Sequence, residues 1–159
     1  MSFKKKLIPF NDFSREPKEL ILAEVRGFTD VISSGHRILG NNVRSFEKLW
    51  SEECCTEEAI GVGNGCDAIE IGLRALDVGI GDEVITTPLT AFATTLAIAR
   101  TGATPVFADV DPGTCCIDSN SVRRCLSKKT KAILVVHLYG QAADIDSLLA
   151  VSNQYGIHL

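Results

Sequence analysis

The stretch Gly81–Phe107, GDEVITTPLTAFATTLAIARTGATPVF, decides the fold. Its opening segment, Glu83–Thr87, is short and rich in β-branched residues, which reads as a strand. Pro88 ends that run, and Phe92, Leu96 and Ala99 then recur at helical spacing until Gly102 supplies a stop. Pro105-Val106-Phe107-Ala108 is a second apolar run of strand length. Apolar strands separated by a helix imply parallel neighbours buried on both faces, since an exposed face would show polar alternation.

The same alternation continues toward the C-terminus. Ser119–Leu126 reads as a helix, Lys131–Val136 as a strand with a continuous apolar run, and Ile145 to Tyr155 as a helix capped by Asp144 and stopped by Gly156. Gly156-Ile157-His158-Leu159 resembles the first residues of a further strand, so the sequence is expected to be cut in mid-unit. Toward the N-terminus, Ile69, Leu73 and Leu76 form one face of a helix whose other face carries Asp67, Glu70, Arg74 and Asp77. Glu70 and Arg74 stand at pairing distance on it. Before this helix come the turn Gly63-Asn64-Gly65 and an expected short strand, Ala59-Ile60-Gly61-Val62. Two further helices precede the strand: one opened by Asn41 or Asn42 with Val43, Phe46 and Trp50, and one after Ser14 and Pro17 with Ile21, Val25, Phe28 and Ile32, stopped by Gly35. The expected class is α/β, a mostly parallel sheet with helices on both faces.

Composition removes several alternatives. With 45% of 159 residues hydrophobic, the chain can form a core and is not a disordered polar segment. No apolar run reaches the roughly 18–20 residues of a membrane span. Lys4, Lys5 and Lys6 look like the start of a signal peptide, but Pro9, Asn11, Asp12 and Arg15 stand where its apolar core should be, so a cytosolic protein without membrane attachment is expected. The net charge of −4 argues against a nucleic-acid partner, and the run Arg123, Arg124, Lys128, Lys129 and Lys131 reads as a solvated face. Six cysteines, at 54, 55, 66, 115, 116 and 125, include no C-x-x-C pair, and they read as reduced thiols with no metal.

Chemistry has few places to sit. Gly63-Asn64-Gly65-Cys66-Asp67 opens a well-formed helix, whose first amides have no internal partner and carry the positive end of the dipole. Such a bend can cup a phosphate, or it can be a plain turn whose glycines only provide positive φ. Gly63-x-Gly65-x-x-Ala68, with Asp82 or Glu83 as the ribose acid, also fits a nicotinamide dinucleotide fingerprint, though the strand before it is short. Asp109-Val110-Asp111 could hold a divalent ion, but Asp111-Pro112-Gly113-Thr114 is ordinary turn chemistry. His137-Leu138-Tyr139-Gly140-Gln141 follows the carboxyl end of the most apolar strand, where open α/β sheets place ligands.

Taken together, these segments resemble the sugar-aminotransferase family called DegT/DnrJ/EryC1/StrS, which uses pyridoxal phosphate on a type I aminotransferase fold. The resemblance is carried by Ile8–Asp12, Ile38-Leu39-Gly40 before Phe46-Glu47, Gly61–Ala68, Gly81–Ile85, Thr87-Pro88 through Phe92 to Thr95, Gly102–Phe107 and Val136–Gln141, in the family's order and near its spacing. It implies that residues 1–159 are the N-terminal part of the large domain of a type I pyridoxal-phosphate-dependent transferase, with 1–55 a helical lead and 56–159 the alternating β/α cofactor-binding part. The remainder of that domain and a C-terminal small domain would be absent.

By the same resemblance, Gly65, Cys66 and Asp67 belong to the turn that holds the cofactor phosphate, Phe92 stacks on the pyridine ring, and His137 faces the cofactor. Cys66 stands where the family commonly has Thr, Ala91 where it often has another Thr, and His36-Arg37 lie in an active-site loop of the dimer where many relatives have aromatics. The family's Schiff-base lysine and the acid opposite the pyridinium nitrogen match no position up to Leu159, so this chain alone is expected to be inactive. The full-length homodimer would move an amino group, from glutamate, onto a keto-sugar linked to a nucleoside diphosphate. The alternatives are a pyridoxamine-dependent sugar dehydratase of the same family, a Rossmann-type NAD(P)-binding domain, and a remnant without catalysis.

Overall fold

The computed structural model describes residues 8–159, so Lys4, Lys5 and Lys6 lie outside the described residues. The chain divides into two units, 8–61 and 62–159.

In the first unit, a short 3-10 turn, Phe13–Arg15, is capped by the Asp12 side chain. Helix α1, Lys18–Ser34, starts after Pro17 and ends at Gly35, whose φ of 72° closes it. Helix α2, Asn41–Glu53, follows Gly40. Beyond it the expected strand Ala59–Val62 does not form. The segment joins no ladder: the Gly61 N–H donates to Glu47 Oε1 at 2.7 Å, and Ile60 stays exposed. A strand needs a neighbour, and among the described residues none pairs with this one.

The second unit is built on a parallel sheet of β1 (Glu83–Thr86), β2 (Thr104–Phe107) and β3 (Thr130–Ile133), ordered β2-β1-β3. Helix α3 (Gly65–Ala75) precedes β1. Helix α4 (Phe92–Thr101) joins β1 to β2, α5 (Ser119–Cys125) joins β2 to β3, and α6 (Ile145–Tyr155) follows β3. Central strand β1 sends consecutive side chains to opposite faces. Val84 packs with Leu73, Val78, Ile98, Ala103 and Ala132 under α3 and α4, while Ile85 packs with Ile117, Val122, Ile133, Leu148 and Val151 under α5 and α6. The doubly covered parallel sheet expected from the apolar strands is present.

The bounds of all three strands shift, the first ending at Thr86 rather than Thr87. The second strand begins at Thr104 and ends at Phe107 rather than running from Pro105 to Ala108. The third ends at Ile133, not Val136, because its partner runs out: Leu134 N–H donates to Ile85 O at 2.8 Å, and β1 then turns away toward Pro88. On the outer edge of β3, His158 N–H donates to Lys131 O and Ile133 N–H to His158 O, an isolated parallel bridge that sets His158 beside Ala132. Asp144 caps α6 by accepting from Ser147 N–H, and Gly156 closes it at φ 65°. No helix among the described residues is long and apolar enough to cross a membrane.

Candidate functional site

The strand order fixes where a ligand can bind. From β1 the chain turns into α4 on one face of the sheet, whereas from β3 it leads to α6 on the other. The chain therefore leaves these two neighbouring strands toward opposite faces, and open α/β sheets bind ligands at the carboxyl edge where that happens. Phe92 follows β1 and His137 follows β3, so both belong to this edge.

Helix α3 brings its amino end to the same region. Cys66 Sγ donates to Ala93 O at 3.6 Å, which sets the first turn of α3 beside the first turn of α4. At the other end of the pair Arg74 donates to Arg100 O at 2.6 Å, so the two helices run side by side in the same direction. Two positive dipole ends thus lie together.

The bend itself shows why glycine is used. Neither Gly63 nor Gly65 has positive φ, so the plain-turn reading, in which glycine only supplies that conformation, does not apply. A Cβ on Gly63 would stand 2.8 Å from Asp67 Oδ2, whereas a Cβ on Gly65 would project into open space. Asn64 is the N-cap of α3: its Oδ1 accepts from Asp67 N–H at 3.0 Å and its Nδ2 donates to Asp67 Oδ2 at 2.9 Å. Ala68 N–H is taken by Asn64 O. Among the described residues the amides of Gly65 and Cys66 have no acceptor, and Ala91, as N-cap of α4, offers no side chain to cover the first amides there. Unpartnered N–H groups over open space, at paired helix starts, fit a phosphate.

The candidate residues divide by role. Gly65 and Cys66 present backbone donors. The Asp67 carboxylate is turned onto Asn64 and Arg100, with Arg100 Nη1 3.4 Å from Asp67 Oδ1. Phe92, the first residue of α4, is 76% exposed, unusual for an aromatic beside a core and suited to an apolar ring as partner. His137 is exposed, and its Nδ1 accepts from Ala143 N–H at 3.1 Å, which leaves Nε2 to carry the ring proton. That bond closes the loop holding the 3-10 turn Leu138–Gly140, in which Tyr139 sits at φ 55°. Arg100 is the participant that sequence reasoning missed, while Asn64 was read only as part of the bend and not as its cap. Asn64 is a preferred N-cap type and was legible, whereas Arg100 lies in no motif.

Other groups have other uses. Asp82 Oδ2 accepts from Gly79 N–H and Glu83 from Ser127 Oγ, both at the amino end of β1, remote in the strand from the bend that a dinucleotide reading would pair with them. Asp111 Oδ1 accepts from Gly113 and Thr114 N–H, each at 2.9 Å, which is turn chemistry. Cys116 donates to Gln141 O, and Cys125 to Phe107 O. Lys128, Lys129 and Lys131, the lysines of this unit, stand at the amino end of β3, opposite Phe92 and His137. In the first unit, the loop His36–Gly40 and the start of α2 border a cavity of about 500 Å³ that also includes Arg44. Gly40 is required there because a Cβ would meet His36 O at 2.8 Å.

A family profile described as the DegT/DnrJ/EryC1/StrS aminotransferase family matches residues 19–159. The chain is 44% identical over 150 residues to a pleiotropic regulatory protein of Geobacillus stearothermophilus, covering 94% of this chain and 40% of that protein. It is 41% identical over 155 residues to the dTDP-3-amino-3,6-dideoxy-alpha-D-galactopyranose transaminase of Aneurinibacillus thermoaerophilus, covering 95% and 42%. The crystal structure of NtdA from Bacillus subtilis with bound cofactor PMP superposes with a TM-score of 0.91 at 31% identity, over 97% of this chain and 36% of that one. The chain spans about two fifths of the length of the curated relatives it matches.

Proposed function

The chain belongs to the DegT/DnrJ/EryC1/StrS aminotransferase family, and from that premise we propose that residues 56–159 form the cofactor-binding part of a pyridoxal-phosphate-dependent nucleotide-sugar aminotransferase, with 1–55 its helical lead. The observation that carries this reading is the pair of acceptor-less amides at Gly65 and Cys66, set beside the start of α4, where Phe92 presents an exposed ring.

Each residue then has a physical task. The Gly65 and Cys66 amides donate to the phosphate. They do so whether residue 66 is Thr or Cys, because a thiol is a weaker partner than a hydroxyl but leaves the backbone unchanged. Phe92 covers one face of the pyridine ring and keeps water from it. His137, with Nδ1 held by Ala143, offers an Nε2–H from an exposed ring at the carboxyl edge of the sheet. When bound, pyridoxal phosphate supplies a carbonyl carbon for amine exchange and an electron sink for the substrate's breaking bond. The three lysines of this unit stand at the opposite edge of the sheet, which supports an anchoring amine supplied by residues outside it. Amino transfer, the keto-sugar linked to a nucleoside diphosphate, the glutamate donor and the homodimer are proposed on the strength of family membership and of the transaminase name of one relative.

Pyridoxamine 5′-phosphate is the suitable probe, because it lacks the aldehyde that would react with surface lysines. Calorimetric titration of the chain should show saturable binding, weakened about three- to tenfold by Phe92→Ala. Saturable binding of NAD in place of pyridoxamine phosphate would overturn the proposal.

A further inference from the structure

The amino end of α3 is less positive than a helix start should be, because its first two turns carry two carboxylates. Asp67 lies in the first turn of α3, and Glu70 follows three residues later. A dianionic ligand there faces repulsion from each of them, of the same order as the attraction of the helix dipole.

Two arginines answer these charges. Arg74, one turn along α3, holds Glu70 Oε1 at 2.9 Å through Nη2, a pair that forms within the helix itself. Arg100 comes from α4. Its Nη1 stands 3.4 Å from Asp67 Oδ1, 3.7 Å from Glu70 Oε2 and 3.9 Å from Cys66 Sγ. The reach follows from helix geometry: side chains lean toward the amino end of their own helix, so an arginine late in α4 extends back along α3 toward its start. The guanidinium therefore touches the residue whose backbone amide is free and the carboxylate next to it. It is the long-range member of the network, since the other pairing of the bend, Asn64 with Asp67, is local.

We propose that Arg100 is a positioning residue for the phosphate end of the cofactor: by neutralising Asp67 and Glu70, it keeps the Gly65 and Cys66 amides electropositive. The inference rests on the cofactor reading above. It also makes α4 a single rod that presents the ring-covering Phe92 at its first residue and the phosphate-side charge near its last.

The test compares pyridoxamine 5′-phosphate with pyridoxamine, which lacks the phosphate, by calorimetric titration of the 159-residue chain. Arg100→Leu and Arg100→Gln should each weaken phosphate-ester binding about tenfold at low ionic strength, with the ratio to wild type falling to about twofold or less at 1 M salt. Binding of pyridoxamine should be unchanged, and Arg100→Lys should stay within about twofold of wild type, as expected for a charge effect. Equal losses for both ligands, losses that ignore salt, or no loss at all would overturn the role of Arg100 while leaving the cofactor site standing. A wild-type chain that bound neither ligand would instead overturn the cofactor reading and this one with it.

Discussion

The two units of the chain reach helical structure by different means. In 62–159 the sheet and four helices enclose side chains with no exposure at all, among them Val84, Ile85, Ile98, Val122, Leu148 and Val151. In 8–61, α1 and α2 are amphipathic and properly ended, yet no hydrophobic residue there is buried, and Leu20, Ile21, Leu22, Val25, Phe28, Phe46, Leu49 and Trp50 are all exposed. Periodicity marks the helices of both units, but in the second unit their apolar faces also meet a sheet that buries them. Helices of this length are marginal in water without such packing, so stability should concentrate in the second unit.

The sharpest way to break that contrast is to truncate one leucine in each unit. Leu148→Ala, in a site with no exposure, should cost about 2–5 kcal/mol by urea unfolding. Leu22→Ala, on exposed α1, should change stability by no more than about 0.5 kcal/mol. Equal effects would mean that the first unit has a core of its own.

Glycine helix ends give the next largest difference. Gly35 and Gly102 close α1 and α4 with φ of 72° and 90°, a conformation that costs an L-residue about 1–2 kcal/mol. Gly102→Ala also sets a Cβ 2.6 Å from Ile80 Cγ1, whereas Gly35→Ala meets nothing. Gly102→Ala should lower the global unfolding midpoint, while Gly35→Ala should reduce only the helicity of α1, seen in its amide exchange.

The smallest effect is at Asp144. The Ser147 hydroxyl, and then the Ser147 amide, hold its carboxyl below the usual range. A folded value below the unfolded one means that the cap stabilises α6 above the ordinary carboxylate range and loses that effect as pH falls through the lowered one. Asp144→Ala should lower the unfolding midpoint at neutral pH, and the gap to wild type should narrow on acidification. A gap independent of pH would contradict this.

Most of the second unit was legible in the chain because its signals are local. The stops at Gly102 and Gly156, the Asp144 cap and the Glu70–Arg74 pair are all decided within one or two turns. What was not legible depended on neighbours. The Ala59–Val62 run has strand composition but no strand beside it, and β3 is shorter than its apolar run because β1 turns away after Thr86. At the site, the glycine bend, Phe92 and His137 stood out by type and position. Arg100 could not, since its partners lie on a different helix, more than thirty residues earlier for Cys66 and Asp67.

The central claim, that the Gly65 and Cys66 amides receive a phosphate beneath the Phe92 ring, is most directly tested by following backbone amide resonances while pyridoxamine 5′-phosphate is added. The account predicts saturable shifts that are largest at Gly65 and Cys66 and extend to the first turn of α4. Shifts centred elsewhere, for instance on residues 36–44, with Gly65 and Cys66 unmoved, would contradict it.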